Sequence, residues 1–274
     1  MLDKTYAIYV FIDDLLKMIG HKEDKQVKVQ DSEVLTISIL SFFYFGGHYE
    51  KALCYVKSHK IFSRVLGKSR FCRRIHRLDE LIGDIFFQLG DLLKELNTSR
   101  EYVLDSFPIA VCHNIRISNC KLLEKNEIYR GKCASKREYF YGFRVQMIAT
   151  TDGVPVEYAF VPGRMSDAKG MTFLFYDLPQ GSRNISDSAY TNYQVEDDLE
   201  DLDIWHDTVR KSNSKRREPS YRSYYKQVKR KLIETIFSVI QLYLPKKLHA
   251  TTIKGFLLKL KVWILSFQLE KAFV

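Results

Sequence analysis

Three carboxylates stand where expected secondary-structure elements end: Asp105 in the strand-like run YVLDSF (102–107), Asp187 at the close of a short strand, and Glu234 on a helix, four residues after Arg230. A hard cation such as Mg²⁺ takes oxygen ligands, usually a few carboxylates together with phosphate oxygens. Acids brought from separate elements to one point are therefore the donor set of a phosphodiester-cleaving site, and their distance in sequence is no objection. Each acid also has a plainer reading. Asp187 can form an Asx turn before Ser188, Asp105 can be a strand-end turn former before Ser106, and Glu234 can pair with Arg230 or Lys231 along its helix. Spacing alone leaves these alternatives open. A further acid, Asp167, precedes a helix in the stretch PGRMSD and reads as its N-cap.

The elements that must carry these residues divide at about residue 98. Apolar residues recur at helical spacing from Leu2 to Asn97, for example at Ile8, Phe11, Ile12, Leu15, Leu16 and Ile19, so residues 1–98 are expected to be all-helical. From Tyr102 the pattern changes. A strand over 102–107 is expected to stop at Pro108, which cannot donate to a ladder. Runs at 140–150 and 154–161 flank Asp152-Gly153, a hairpin signal because both residues tolerate positive φ. A helix over 168–176, a strand ending at Asp187, a helix from about 191 and a strand over 204–209 follow, then helices over 225–243 and 251–271. Three leading strands and then α/β alternation predict a mixed sheet flanked by helices in a domain over residues 99–274, which also takes in a basic insertion near 210–224 and the C-terminal helices.

Composition sets the partner. The 274 residues carry 43 Lys and Arg against 33 Asp and Glu, a formal charge of +10 that draws the chain toward a polyanion. The charge is clustered: residues 57–77 hold eight basic side chains and no acid, and 208–231 hold ten against the single Glu218. In the first cluster, a helix beginning near Ser69 sets Phe71, Ile75 and Leu78 on one face and Arg70, Arg73, Arg74 and Arg77 on the other. That pattern fits a helix reading DNA, or equally a solvated face meeting Asp79 and Glu80. In the second, Lys211, Lys215, Arg216 and Arg217 predict an exposed, mobile loop touching DNA backbone.

Several classes are excluded. Five cysteines without a C-x-x-C pair signal neither disulfides nor zinc, and the spacing of Cys112-His113, Cys120 and Cys133 misses the usual closed-site pattern. Neither 34–45 nor 256–267 reaches the ~18 uninterrupted apolar residues of a membrane span. A cytoplasmic protein with reduced thiols and no membrane partner is expected. P-loop, dinucleotide-binding and esterase motifs are missing. Trp205 and Tyr221, Tyr224 and Tyr225 are candidates for base stacking, whereas Trp263 reads as core.

The words around the acids carry more than their spacing. LDSFPIAVCHNIRIS (104–118), YRGKCASKREYFYGFRVQMIATTDGVPVEY (129–158), SDSAYTNY (186–193), RKSNSKR (210–216) and RKLIETIFS, together with KSRFCRRIHRL (68–78), resemble bacterial insertion-sequence transposases of the DDE class, specifically the insertion-sequence nine-eight-two family. The resemblance spans nearly the whole chain. It implies an RNase H-like catalytic domain preceded by a helical domain that binds the element's ends, with Asp105, Asp187 and Glu234 as the acidic triad. It also implies two Mg²⁺ ions, replaceable by Mn²⁺, with Asp105 and Asp187 holding both, Glu234 completing one, and Arg230 neutralising the phosphate. The implied partners are double-stranded DNA, as terminal inverted repeats and target, and a second copy of the chain on that DNA in the bacterial nucleoid. The longer family word around the glutamate is incomplete, because Gln227 and Gln241 stand at its Tyr and Lys positions. The rival readings are a decayed transposase that binds element ends as a repressor without cutting, and a housekeeping nuclease of the same fold.

Overall fold

A computed structural model describes the chain at all positions other than 25, 134–137, 212, 217–219, 246 and 274, and leaves aside the side chains of helical residues 220–223, 226 and 227. The chain divides into two compact units, Met1–Ile85 with Leu244–Glu270, and Phe86–Tyr243 with Lys271–Val274.

The first unit is helical: α1 (Leu2–Met18), α2 (Asp31–Phe45), α3 (Tyr49–Ser58), α4 (Lys68–Arg77), the start of α5 (Asp79–Leu96), and most of α9 (Ile253–Phe273). α9 is buried at Phe256, Leu258, Leu260 and continuously from Val262 to Leu269, as expected of a helix that is apolar on all sides. Its two inner lysines are accounted for. Lys259 Nζ donates to the Gly47 carbonyl at 3.3 Å and lies over the Tyr49 ring, and Lys261 pairs with Asp79 at 3.0 Å. The last helix thus belongs with the first, whereas the division at 98 had assigned it to the sheet. An apolar stripe specifies burial, not the partner that provides it.

The second unit is built on a six-stranded sheet: β1 (Glu101–Cys112), β2 (Arg130–Cys133), β3 (Glu138–Thr150), β4 (Pro155–Pro162), β5 (Ser182–Ser186) and β6 (Ile204–Thr208). β3 runs antiparallel to β1 on one edge and shares its other edge between β2 and β4. β5 lies parallel to β1, and β6 parallel to β5. The hairpin between β3 and β4 turns at Gly153, whose φ of +85° suits glycine.

Two local expectations are corrected. β1 does not stop at Pro108 but continues to Cys112, with Pro108 opposite Arg144 of β3. Its pairing with β5 covers only Glu101–Leu104, so the edge on that side is open where the proline's missing N–H would have pointed. The helix expected over 168–176 is confined to α6 (Asp167–Gly170) and a following 3₁₀ turn, Met171–Phe173. Residues 174–178 instead cross the sheet face and bury Leu174, Tyr176 and Leu178 with Tyr102, Leu104, Ile148 and Val156. α7 (Tyr193–Glu200) covers the same core through Leu199. The other face receives α8 (Ser220–Tyr243), whose Ile233, Ile236, Phe237 and Ile240 are buried at i, i+3, i+4 and i+7 spacing. Among the described residues no helix is long and apolar enough to cross a membrane.

Candidate active site

Strand pairing and side-chain alternation bring two of the candidate acids together. β1 and β5 pair in parallel up to Leu104 opposite Ser186, so Asp105 and Asp187 are the next residues on each chain as the two strands part. Since successive side chains alternate faces, both acids share the face of Val103, Ile185 and Phe107, opposite that of Tyr102 and Leu104. The same dipeptide fixes both carboxylates. Ser106 N–H donates to Asp105 Oδ1 at 2.7 Å and Ser188 N–H donates to Asp187 Oδ1 at 2.6 Å. Two Asp-Ser pairs at the mouth between parallel strands thus hold equivalent carboxylate postures, and the Asx-turn reading of Asp187 describes its local geometry correctly.

α8 brings the other two residues. Phe237 packs on Phe107 with ring centroids 6.4 Å apart, two residues from Asp105 on the same strand face. Near its start, Tyr225 and Lys229 both donate to the Glu101 carboxylate at the head of β1, the lysine at 2.6 Å. Burial works upward on Glu101, but these two donors bring its pKa below the usual glutamate range. Helix geometry then sets Arg230 and Glu234 at the rim of the buried stripe. Arg230 Nη2 lies 3.8 Å from Asp187 Oδ2 and its Nε 3.3 Å from Glu234 Oε1. Asp187, Arg230 and Glu234 are therefore linked, with the arginine between two acids from different elements.

The pole carries an excess of negative charge. Burial pushes the Asp105 carboxyl up to about 7, with Asp167 and Asp187 adding to the rise and the Ser106 N–H and Arg144 opposing it. A carboxyl so crowded by anions in a poorly solvated site is stabilised in its charged form by an added cation. The oxygen donors suit a hard divalent ion, the ligand chemistry expected of Mg²⁺ or Mn²⁺. Asp167 itself is not an N-cap. Ser166 takes that position, and the Asp167 carboxylate accepts from Ser106 Oγ at 2.7 Å and from Arg144 Nη1 and Gln146 Nε2 at 3.4 Å. Arg144 and Gln146 went unnoticed in the sequence, although polar residues alternating with Phe143, Val145 and Met147 marked one face of β3 as bearing polar partners.

A different group, His21, Glu23 and Asp31 of the first unit, has ligand atoms all within 4.8 Å of one another. Arg74 sits in it, with Nε 2.7 Å from Asp31 Oδ1 and Nη2 3.7 Å from Glu23. Arg74 opposes both acids, and Asp31 pairs with His21 Nε2 at 3.0 Å as well.

That pairing corrects the arginine stripe of α4. Arg70, Arg73 and Arg77 are exposed, but Arg74 is committed to Asp31 and Glu23. The helix begins at Lys68 after an N-cap at Gly67, two residues earlier than a Ser69 cap would allow, and Phe71, Ile75 and Leu78 are buried as expected. The basic insertion is corrected too. Arg210 makes a bidentate pair with buried Glu196, both bonds 2.7 Å, and Arg216 bonds Glu196 and Asp197 while lying 4.8 Å over the Tyr193 ring. The segment is built against α7. Lys211 and Lys215 remain exposed, and Arg217 and Tyr221 lie outside the side chains described. Trp263 is core, while Trp205 and Tyr224 are exposed.

A family model for the transposase DDE domain matches residues 96–248. No curated protein and no solved structure matches the chain. The matched span starts at the end of α5, takes in the whole sheet and runs past α8, so it contains Asp105, Asp187, Arg230 and Glu234. With more than half its length in that match and a mixed sheet flanked by helices as its larger unit, the chain belongs to the transposase DDE domain family.

Proposed function

We propose that this transposase cuts and rejoins DNA at an RNase H-like site formed by Asp105, Asp187 and Glu234, as an insertion-sequence enzyme of the nine-eight-two type. The observation that carries the reading is the placement of Asp105 and Asp187 immediately after Leu104 and Ser186, the last register pair of two parallel neighbouring strands, each carboxylate gripped by the following serine N–H. The strand order β4-β3-β1-β5-β6, antiparallel on one side of β1 and parallel on the other, supports the RNase H-like assignment. Asp105 and Asp187 would hold two Mg²⁺ or Mn²⁺ ions between them, with Glu234 completing one. Bound there, divalent ions would polarise the phosphodiester, lower the pKa of an attacking oxygen and stabilise the leaving one.

The chain's own residues do the positioning. The serine N–H groups fix one oxygen of each aspartate and leave the other for a ligand. Glu101, Tyr225 and Lys229 tie α8 to β1, so Glu234, linked to Asp187 through Arg230, comes from a helix anchored to the same strand as Asp105. Arg230, about half exposed beside Asp187, is placed to neutralise an incoming phosphate. Arg70, Arg73 and Arg77 would engage the element's terminal repeats, and Lys211 and Lys215 the backbone of the duplex, with two copies acting on paired ends.

The test is cleavage of a duplex carrying the element's own terminal sequence and flanking DNA. Cutting that needs Mg²⁺ or Mn²⁺ and disappears in D105N and D187N supports the reading. Binding without cutting by the unaltered chain under those conditions would favour the repressor alternative, and cutting of any duplex alike would favour a general nuclease.

A further inference from the structure

Asp167 lies on the face of the sheet opposite Asp105, yet a short bonded path joins them. Ser106 donates its hydroxyl to Asp167 Oδ1 at 2.7 Å and its backbone N–H to Asp105 Oδ1 at the same distance. Ser106 therefore reaches through the strand, with its side chain held on one face and its amide holding the proposed ligand on the other. This is needed where it occurs, because β1 has lost β5 beyond Leu104 and that edge has no ladder to fix its peptides.

The anchor for Ser106 is itself built in. Arg144 Nη1 donates to Ser106 Oγ at 3.1 Å as well as to Asp167, and its Nη2 donates to the Lys132 carbonyl at 3.1 Å. Gln146, fully buried, donates to Asp167 and accepts from the Tyr190 hydroxyl at 2.7 Å. Tyr190 lies three residues after Asp187, so the same network touches the segment that carries the second acid. α6 approaches β3 so closely that a Cβ on Gly170 would fall 2.3 Å from Gln146 Nε2, and glycine there is what allows the helix to deliver Asp167. A charged carboxylate with three donors on one oxygen, mostly buried among fixed partners, is a rigid support for whatever it holds.

We propose that Asp167 is a positioning residue of the acidic site, acting through Ser106 to fix the Asp105 carboxylate, and that Arg144 and Gln146 hold Asp167 in place for that task. The proposal rests on the reading of Asp105 and Asp187 as cation ligands and extends it by one layer. It distinguishes Asp167 from a fourth ligand: an asparagine keeps the acceptor that Ser106 needs but lacks the charge a ligand would supply.

The experiment is Mn²⁺ binding to the full chain by calorimetric titration, with cleavage rate and melting temperature measured in parallel. The expected order is unaltered chain, then D167N slightly weaker, then D167A and S106A weaker together by about tenfold or more, the range seen when partners that orient metal ligands are removed. S106A leaves every carboxylate in place and changes only one hydroxyl, so its agreement with D167A at an unchanged melting temperature is the signature of positioning. Loss of binding in D167N as complete as in D187N, with S106A unaffected, would overturn the proposal in favour of direct ligation. Equal, near-unaltered binding in D167A and S106A would overturn it outright. D105N and D187N serve as the separate check on the underlying site: if they bind Mn²⁺ as the unaltered chain does, the ligand reading fails, whatever the Asp167 series shows.

Discussion

The two units each contain a cluster of acids, and the clusters are built on opposite principles. In the first, the buried Asp31 is bonded to Arg74 at 2.7 Å and to His21 at 3.0 Å through separate oxygens, and Glu23 lies 3.7 Å from Arg74. In the second, Asp105 and Asp187 share one face of the sheet with Asp167 behind Ser106 on the other, Arg230 stays on an exposed stretch of α8, and burial, to which the charges of Asp167 and Asp187 add, lifts Asp105 to about 7. On the proposed reading, tight packing of ligand-type atoms does not by itself mark the cation site. A cluster that has satisfied its own charge stabilises a fold, whereas one left with excess negative charge has affinity to spare for an added cation.

The largest expected effect separates the clusters by activity. D187N and E234Q should lower metal-dependent DNA cleavage by about three orders of magnitude, since several kcal/mol of charge stabilisation is lost and each ~1.4 kcal/mol is tenfold in rate. Asp31→Asn should leave the cleavage rate per folded molecule unchanged. A cleavage loss in D31N at full folding would break the comparison.

Stability should respond the other way. Arg74→Leu leaves the buried Asp31 charge opposed only by His21, and should destabilise the chain by about 3 kcal/mol in urea unfolding. Arg230→Leu, at a half-exposed position, should change stability by less than about 1 kcal/mol. Equal losses for the two arginines would mean that the second cluster is also a structural network.

The raised Asp105 carboxyl sets a pH dependence with a definite sign. Between its ordinary value near 4 and about 7, the folded chain keeps a proton there that the unfolded chain has released. The folded state then binds more protons, so this group's contribution to stability falls as pH rises through that window and is lost above about 7. In chelator, with no divalent ions, melting temperature should decline from pH 5 to pH 8 more steeply for the unaltered chain than for D105N, which carries no titrating group at that position. Parallel curves would contradict the burial and crowding assigned to Asp105.

The smallest effect concerns the basic residues. Lys211→Ala with Lys215→Ala should lower the slope of log binding constant against log salt by about two, roughly one per lost phosphate contact. Arg216→Ala should instead loosen the segment against α7, because its guanidinium is already paired with Glu196 and Asp197. A slope change for Arg216→Ala equal to that of the lysines would return it to the DNA-contacting set.

Much of this was legible in the sequence, for reasons that mark the limits of such reading. Strand-like runs on either side of the Asp152-Gly153 turn located β3 and β4, and apolar periodicity located helices of both units. The Asp-Ser words stood out because their chemistry is local. What escaped was long-range pairing. Arg74 and Arg216 read as free cations because nothing near them in sequence reveals Asp31, 43 residues away, or Glu196, 20 residues away. β1 was cut short at Pro108 because a proline's tolerance depends on whether its edge is paired, which no single strand encodes. The place of Asp167 before a helix reads as a cap, while its bonding is decided by Ser106 on β1 and by Arg144 and Gln146 on β3.

Anomalous scattering from a crystal of the full chain soaked in Mn²⁺ tests the central claim most directly. The expected result is a peak about 2.1 Å from carboxylate oxygens of Asp105 and Asp187, with Arg230 swung away from Asp187 and Glu234 drawn toward the ion. A peak at His21, Glu23 and Asp31 instead, or no ordered ion between β1 and β5 at saturating Mn²⁺, would contradict it.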